Sequence, residues 1–278
     1  MGLGIFESLI YGFVSGLTEF FPISSQAHQS LMLKMFGSTD AGNLTGLLVH
    51  AAVLLALYLN RRDHIEHLRR VQQHYATPKR RRKHQLDQRR LMELRMLKTA
   101  AITLMVGFLL FPQITSLNHS LIVIAVLWAV NGAVLFAPVF LRRGNKDARS
   151  MTGFDSLLMG VSAVLGLLPG LSRMGTVLSA SVARGADEEH ALNWAMLLSI
   201  PALAGLLVFD VISIITGGVG ALGLHAAIGY ALAALGSFAG AHLSLRMMRT
   251  FARRVGFSGF AYYCWGAALF TFIMYLSI

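Results

Sequence analysis

A chain of 278 residues that is 55% hydrophobic and only 13% charged, with a mean hydropathy of +0.60, falls far below the roughly 25% charge of a soluble domain and reads as an integral membrane protein. Its 27 glycines, six prolines and lone Cys264 exclude a collagen-like repeat, a disulfide scaffold and a CxxC metal site. The net charge of +11 does not indicate nucleic acid, because 13 of the 24 Lys and Arg fall within residues 61–98, against four acidic residues.

In chain order, residues 1–35 lack a basic leader and a cleavage pattern and are read as part of the mature fold. The apolar stretch 4–35 is interrupted at Pro22, which divides it into two short helices that dip into the bilayer and return. Spans of about 17 to 25 apolar residues, long enough to cross a bilayer, follow at 44–60, 99–117 and 120–141. Residues 61–98 between them read as a basic cytoplasmic loop. Its run Lys79-Arg80-Arg81-Arg82-Lys83 is expected to touch anionic inner-leaflet lipids, at about 1 kcal/mol per basic residue.

Arg142, Arg143, Lys146 and Arg149, and later Arg246, Arg249, Arg253 and Arg254, mark two further cytoplasmic turns. Residues 154–183 are too few for two crossings and break at Pro169-Gly170, so a second re-entrant hairpin is expected there. Spans at 192–216, 225–245 and 257–277 complete the chain. The expected fold is therefore an all-α integral membrane protein with six transmembrane helices and two re-entrant helical hairpins, multi-pass, with its basic loops cytoplasmic. A shift of 147 residues aligns Ser15, Pro22 and Ser25 with Ser162, Pro169 and Ser172. With opposite directions of insertion, this divides a single membrane domain into inverted halves, 1–141 and 142–278, whose broken helices meet near the midplane.

Ionisable groups within apolar segments are costly and mark functional candidates. Glu7, Glu19, Arg173 and Asp210 qualify, with His28, His50 and His242. Glu7 is expected at an interface, His50 and His242 are expected to find partners on neighbouring helices, and Asp210 is divided between a structural and a functional role. Each break offers hydroxyls and a helix N-terminus: Ser24 and Ser25 after Pro22, and Ser172, Arg173, Gly175 and Thr176 after Pro169. Such termini with an added guanidinium make a receptor for a tetrahedral oxyanion, phosphate above all. Ser24 and Ser25 could equally be plain helix caps. Glu19 could hold a divalent cation or move a proton, and His28 could serve as base, nucleophile or acid.

On these residues the chain resembles the BacA/UppP family of undecaprenyl-diphosphate phosphatases. Glu19, the Ser24-Ser25-x-x-His28 motif and the Pro169-Gly170-x-Ser172-Arg173 motif carry the likeness, and Leu9–His28, Leu168–Gly175, Leu197–Pro201 and Phe251–Ala261 fall in the family's order. The resemblance implies hydrolysis of a polyprenyl diphosphate to the monophosphate for cell-wall carrier recycling in a bacterial inner membrane. It also implies a divalent cation, Mg or Ca. Glu19, Ser25, His28 and Arg173 would be catalytic, Ser24, Ser25, Ser172, Arg173, Gly175 and Thr176 would hold phosphate, and Glu19 would hold the metal. Ser15 stands where the family has its first glutamate, Met174 and Val177 where it has a serine and a threonine, His50 where glutamine is usual, Asn193 where glutamate is usual, and Cys264 where arginine is frequent. These departures weaken the expected cation site and raise an alternative, a paralogue that binds or flips polyprenyl phosphate with little turnover. The partners expected are that lipid and the membrane, with a homodimer left open and nucleic acid set aside.

Overall fold

The computed structural model describes residues 3–38, 41–77, 88–141, 144–147, 150–219, 223–254 and 257–277. Among them there are helices and connections, and no strand. Helices α1 (Ile5–Glu19) and α2 (Ser25–Met35) flank a first break, and α3 (Asn43–Ala76) follows. Next come α4 (Gln88–Gly107), α5 (Phe111–Thr115) and α6 (Leu121–Phe136). Helices α7 (Gly153–Leu165) and α8 (Arg173–Ala183) flank a second break, before α9 (Glu188–Gly217), α10 (Leu224–Arg254) and α11 (Gly259–Ser277).

Six segments have the length and apolar composition to cross a membrane: Asn43–Ala76, Leu91–Asn118, Leu121–Phe140, Glu188–Gly217, Leu224–Met248 and Gly259–Ser277. Each overlaps one of the six spans expected from sequence. At about 1.5 Å per residue, α1 and α7 reach only about 20 Å, short of the roughly 30 Å hydrocarbon core.

Residues 61–98, expected as a loop, are helical over most of their described length, because α3 continues to Ala76 and α4 begins at Gln88. Leu57, Arg61, Leu68 and Val71 are buried at helical spacing, so this extension has an inward stripe to bury. Arg62 pairs with Glu66 at 2.7 Å one turn on, and His64 approaches Glu93 of α4 at 3.2 Å. The run Lys79 to Lys83 lies outside the described residues, as do Arg142, Arg143 and Arg149 and the side chains of Arg249, Arg253 and Arg254.

The first broken pair is seated by backbone contact. A Cβ on Gly12 would lie 2.1 Å from the Ala233 carbonyl oxygen, and one on Gly16 would lie 2.0 Å from that of Ser237. Gly236 and Gly240 of α10 meet the Leu9 and Phe13 carbonyls in the same way, at 2.7 and 2.2 Å. Small residues spaced by four let two membrane helices close to this distance, where dispersion and polar contacts replace the hydrophobic drive that lipid does not supply. The second pair sits against α4, where a Cβ on Gly160 would meet the Ala100 carbonyl at 2.8 Å. Its outer ends are tied together by the Arg184 to Asp155 ion pair at 2.5 Å.

Helix α6 holds the two breaks to each other. Asn131, fully buried, donates from Nδ2 to the Pro22 carbonyl at 2.9 Å, and its Oδ1 accepts from the Ser172 N–H at 2.9 Å. One turn earlier, Trp128 donates to the Ile23 carbonyl at 2.7 Å. The Ser24 hydroxyl oxygen accepts directly from the Gly170 N–H at 3.1 Å.

Replacing Gly16 by Val should lower stability by about 3 kcal/mol or more, because a rigid side chain meets backbone there. Gly266→Ala, with nothing within 4 Å, should stay within about 1 kcal/mol of the parent. Asn131→Leu strands the Ser172 N–H and the Pro22 carbonyl, at about 1–3 kcal/mol each. Thermal unfolding of the three variants in detergent checks this order.

Candidate functional site

The residues that end α1 and begin α8 face one another across the breaks. Arg173 Nη2 donates to Glu19 Oε1 at 2.7 Å, with the two side chains only 7% and 10% exposed. The Nε of Arg173 is buried without a partner. Ser172 caps α8 by accepting from the Gly175 N–H at 3.2 Å, which leaves the N–H groups of Arg173 and Met174 at the helix N-terminus. Ser24 caps α2, and its φ of +68° is a left-handed conformation that a non-glycine residue holds only when its surroundings fix it. Here its hydroxyl bond to Gly170 does so.

Glu19, Ser24, Ser25, Ser172 and Arg173 line one cavity of about 30 Å³, together with Gln26, Gln29 and His50. A larger cavity of about 290 Å³ shares Gln26, Gln29, His50 and Leu206 with it and extends past Lys34, Asn43, Asp210 and Ser213. The structure thus gathers six of the residues singled out from sequence, His50 among them, around one space.

Three others have their polar groups engaged elsewhere. His28 Nδ1 lies 2.7 Å from the Ser24 carbonyl, which can only accept, so the proton is on Nδ1. Nε2 then accepts from the Tyr263 hydroxyl at 2.6 Å. Trp128 and Tyr263 enclose the ring, with centroids at 4.9 and 5.8 Å. Thr176 donates to the Ser162 carbonyl at 2.7 Å, and the Gly175 N–H is the one that Ser172 caps. Neither these residues nor His28 border the small cavity.

The substituted positions also have defined places. Ser15 is buried and donates to the Tyr11 carbonyl at 2.6 Å, while its own carbonyl accepts from Ser25 at 3.1 Å. Met174 is 1% exposed and belongs to the apolar core, so its side chain is not part of the cavity wall. Glu7 caps the Gly4 N–H at 2.7 Å. His242 lies 2.9 Å from Asn60, and His50 pairs with Asp210 at 2.6 Å, so both rings have partners on neighbouring helices as expected.

The donor set does not fit a divalent cation held by the protein alone. Glu19 is the one carboxylate on the small cavity and is already Arg173's partner. Among the described residues no group of three His, Cys, Asp or Glu side chains could hold a metal ion. A hard cation needs six or more oxygens, and one engaged carboxylate with serine hydroxyls does not supply them.

Sequence reasoning missed Asn131, Trp128 and Tyr263, which fix the first break and His28. The signal in the sequence is an amide inside the apolar run 120–141.

Among known proteins, residues 8–270 match the family described as "Bacitracin resistance protein BacA". "Undecaprenyl-diphosphatase 1" of Shouchella clausii is 33% identical over 276 residues, covering 98% of this chain and 96% of that one. The "Undecaprenyl-diphosphatase" proteins of Alkaliphilus metalliredigens and Carboxydothermus hydrogenoformans are each 28% identical, with 94% of this chain covered and 94% and 93% of theirs. With the family matched over nearly its whole length, this multi-pass membrane protein belongs to the BacA family.

Proposed function

We propose that the chain is a polyprenyl-diphosphate phosphatase that releases inorganic phosphate from the lipid and leaves the monophosphate in the membrane. The observation that carries this reading is the buried Arg173 guanidinium, placed at a helix N-terminus with an unpartnered Nε. Burying an unbonded donor on a charged group is costly, and a phosphate oxygen is the partner that both the guanidinium and the helix terminus favour. Family membership and the relatives' names point to the same chemistry. They lend nothing to a protein that only binds or flips the lipid.

In this reading Arg173, the N–H groups at the start of α8 and the Ser24 hydroxyl hold the terminal phosphate, while Ser172 and Ser25, whose hydroxyls donate to the Phe21 and Ser15 carbonyls, shape the cradle. Glu19 fixes the guanidinium so that no reorientation is required as charge develops on the leaving oxygen. His28, engaged at both nitrogens, positions the Ser24–Ser25 turn. A divalent cation, if one takes part, would be held mainly by the diphosphate, because the protein offers too few free oxygens.

Two features support a re-entrant, inverted arrangement of the broken pairs. The second pair begins and ends at one place, joined by Asp155 and Arg184. The first meets it through Ser24 and Gly170. Placing the basic extensions of α3 and α4 in the cytoplasm puts the large cavity, near Asn43 and Ser213 at the opposite ends of α3 and α9, toward the outer leaflet. The headgroup would then come from outside, in a bacterial inner membrane.

The test is phosphate release from a prenyl diphosphate by purified protein in detergent. Arg173→Ala should reduce release at least a thousandfold, since a transition-state donor is worth about 2.7–4 kcal/mol and the charge is lost as well. Arg173→Lys should recover only part, because an ammonium lacks the planar fork. Glu19→Gln keeps an acceptor for the guanidinium but not its counter-charge, and should lose at least tenfold. Release by Arg173→Ala equal to that of the parent would refute the reading.

A further inference from the structure

We infer that His50, held by Asp210, is the base that takes the proton from the attacking water; the assignment rests on the phosphatase reading above. His50 lies in α3 and Asp210 in α9, with Nδ1 and Oδ2 2.6 Å apart and side chains 16% and 14% exposed. The carboxylate accepts, so Nδ1 carries a proton, and in the neutral imidazole the lone pair is then on Nε2. Among the described residues Nε2 makes no hydrogen bond.

The position of the ring gives that lone pair a use. His50 borders both cavities, the small one with Arg173 and Glu19 and the large one that extends past Lys34 and Asn43. Of the four residues the cavities share, Gln26, Gln29 and Leu206 cannot take a proton at neutral pH. The other basic groups near the phosphate cradle are engaged: Glu19 is the counter-ion of Arg173, and His28 has no free nitrogen. Gly46 adds a further element. It precedes His50 by one helical turn, and a Cβ there would lie 3.1 Å from Asp210 Oδ1. The bare backbone at 46 lets the carboxylate lie against α3 and reach the ring.

The step balances without any further reactant. Water oxygen forms a bond to the terminal phosphorus as one of its protons passes to His50 Nε2. The phosphorus–oxygen bond to the bridging oxygen breaks, and its electron pair leaves with the lipid monophosphate beside Arg173. The imidazolium, paired with Asp210, returns its proton to water through the large cavity. His50 is thus a catalytic residue, while Asp210 and Gly46 are positioning residues.

The test uses the full chain in detergent with farnesyl diphosphate as probe. His50→Gln keeps a donor toward Asp210 and removes the base, and kcat should fall at least a hundredfold with KM within about threefold, the span expected for general-base loss. His50→Ala should regain at least tenfold on adding imidazole, with its thermal midpoint unchanged by imidazole. Asp210→Asn should lower kcat at least tenfold, and combining it with His50→Gln should cost no more than His50→Gln alone. If His50→Gln retains parental kcat while Arg173→Ala is inactive, the base assignment is wrong and the phosphatase reading stands. If Arg173→Ala is itself fully active, the phosphatase reading fails first. Where His50→Gln does not accumulate folded, Asp210→Asn decides, and parental kcat in that variant overturns the proposal.

Discussion

The organisation of this protein depends on one buried ion pair, Glu19 with Arg173 at 2.7 Å, made between the end of one helix and the start of another 154 residues later. Removing either partner from such a pair leaves an uncompensated charge in a medium of low dielectric, at a cost of about 3–5 kcal/mol. The pair is therefore a poor source of stability and a demanding condition on geometry. Both breaks must be held to within a few tenths of an ångström, or the charges are stranded. The surrounding contacts answer that condition. Asn131 joins the Pro22 carbonyl to the Ser172 N–H, Ser24 joins the Gly170 N–H, and Trp128 fixes Ile23. Glycines on α1 and α10 remove the side chains that would keep the first pair from its seat.

The same arrangement explains how irregular backbone survives inside a membrane protein. A break in a helix frees carbonyls and N–H groups that lipid cannot satisfy. Here freed groups of each break are bonded to the other break, to α6 or within their own pair. The Phe21 carbonyl accepts from the Ser172 hydroxyl at 3.4 Å, and the Ser15 carbonyl accepts from Ser25. The Nε of Arg173 stays unpaired beside the cavity. That donor is placed where an anion would use it.

How much of this was legible in the sequence follows from which physical signals are local. Six spans and two breaks were visible because hydropathy, Pro22 and Pro169-Gly170 act over a few residues. The facing of Glu19 and Arg173 could be expected, since ionisable groups beside breaks are too expensive to leave among acyl chains. The clamp by Asn131 was not legible, because an amide in an apolar run reveals its partners only when distant carbonyls and N–H groups are placed. The helical extension of α3 was obscured by charge: Arg61, Arg62, Arg69 and Arg70 suggested a solvated loop, while Leu57, Leu68 and Val71 carried a buried stripe at the same time. Position 174 lies next to Arg173 in the second motif, yet one step along a helix turns a side chain by about 100°, and Met174 belongs to the core.

Charge balance links these departures to the site's chemistry. Glu19 and Arg173 are neutral as a pair, so an arriving phosphate brings its own negative charge into the cavity. Two helix N-termini, α2 and α8, converge there, and each contributes roughly half a positive charge. Lys34 stands farther out on the large cavity. A second carboxylate one turn before Glu19 would add a negative charge that only a cation could offset. Serine at position 15 adds none, and its hydroxyl is satisfied within its own helix by Tyr11. Serine at position 15 and the lack of a three-ligand cation cluster among the described residues thus fit the same electrostatic solution. With one fewer carboxylate beside the phosphate, the proton acceptor must stand elsewhere, near enough to reach the attacking water and separate enough not to repel the anion. An imidazole in its neutral form satisfies both requirements, and His50 stands on the wall shared by the two cavities.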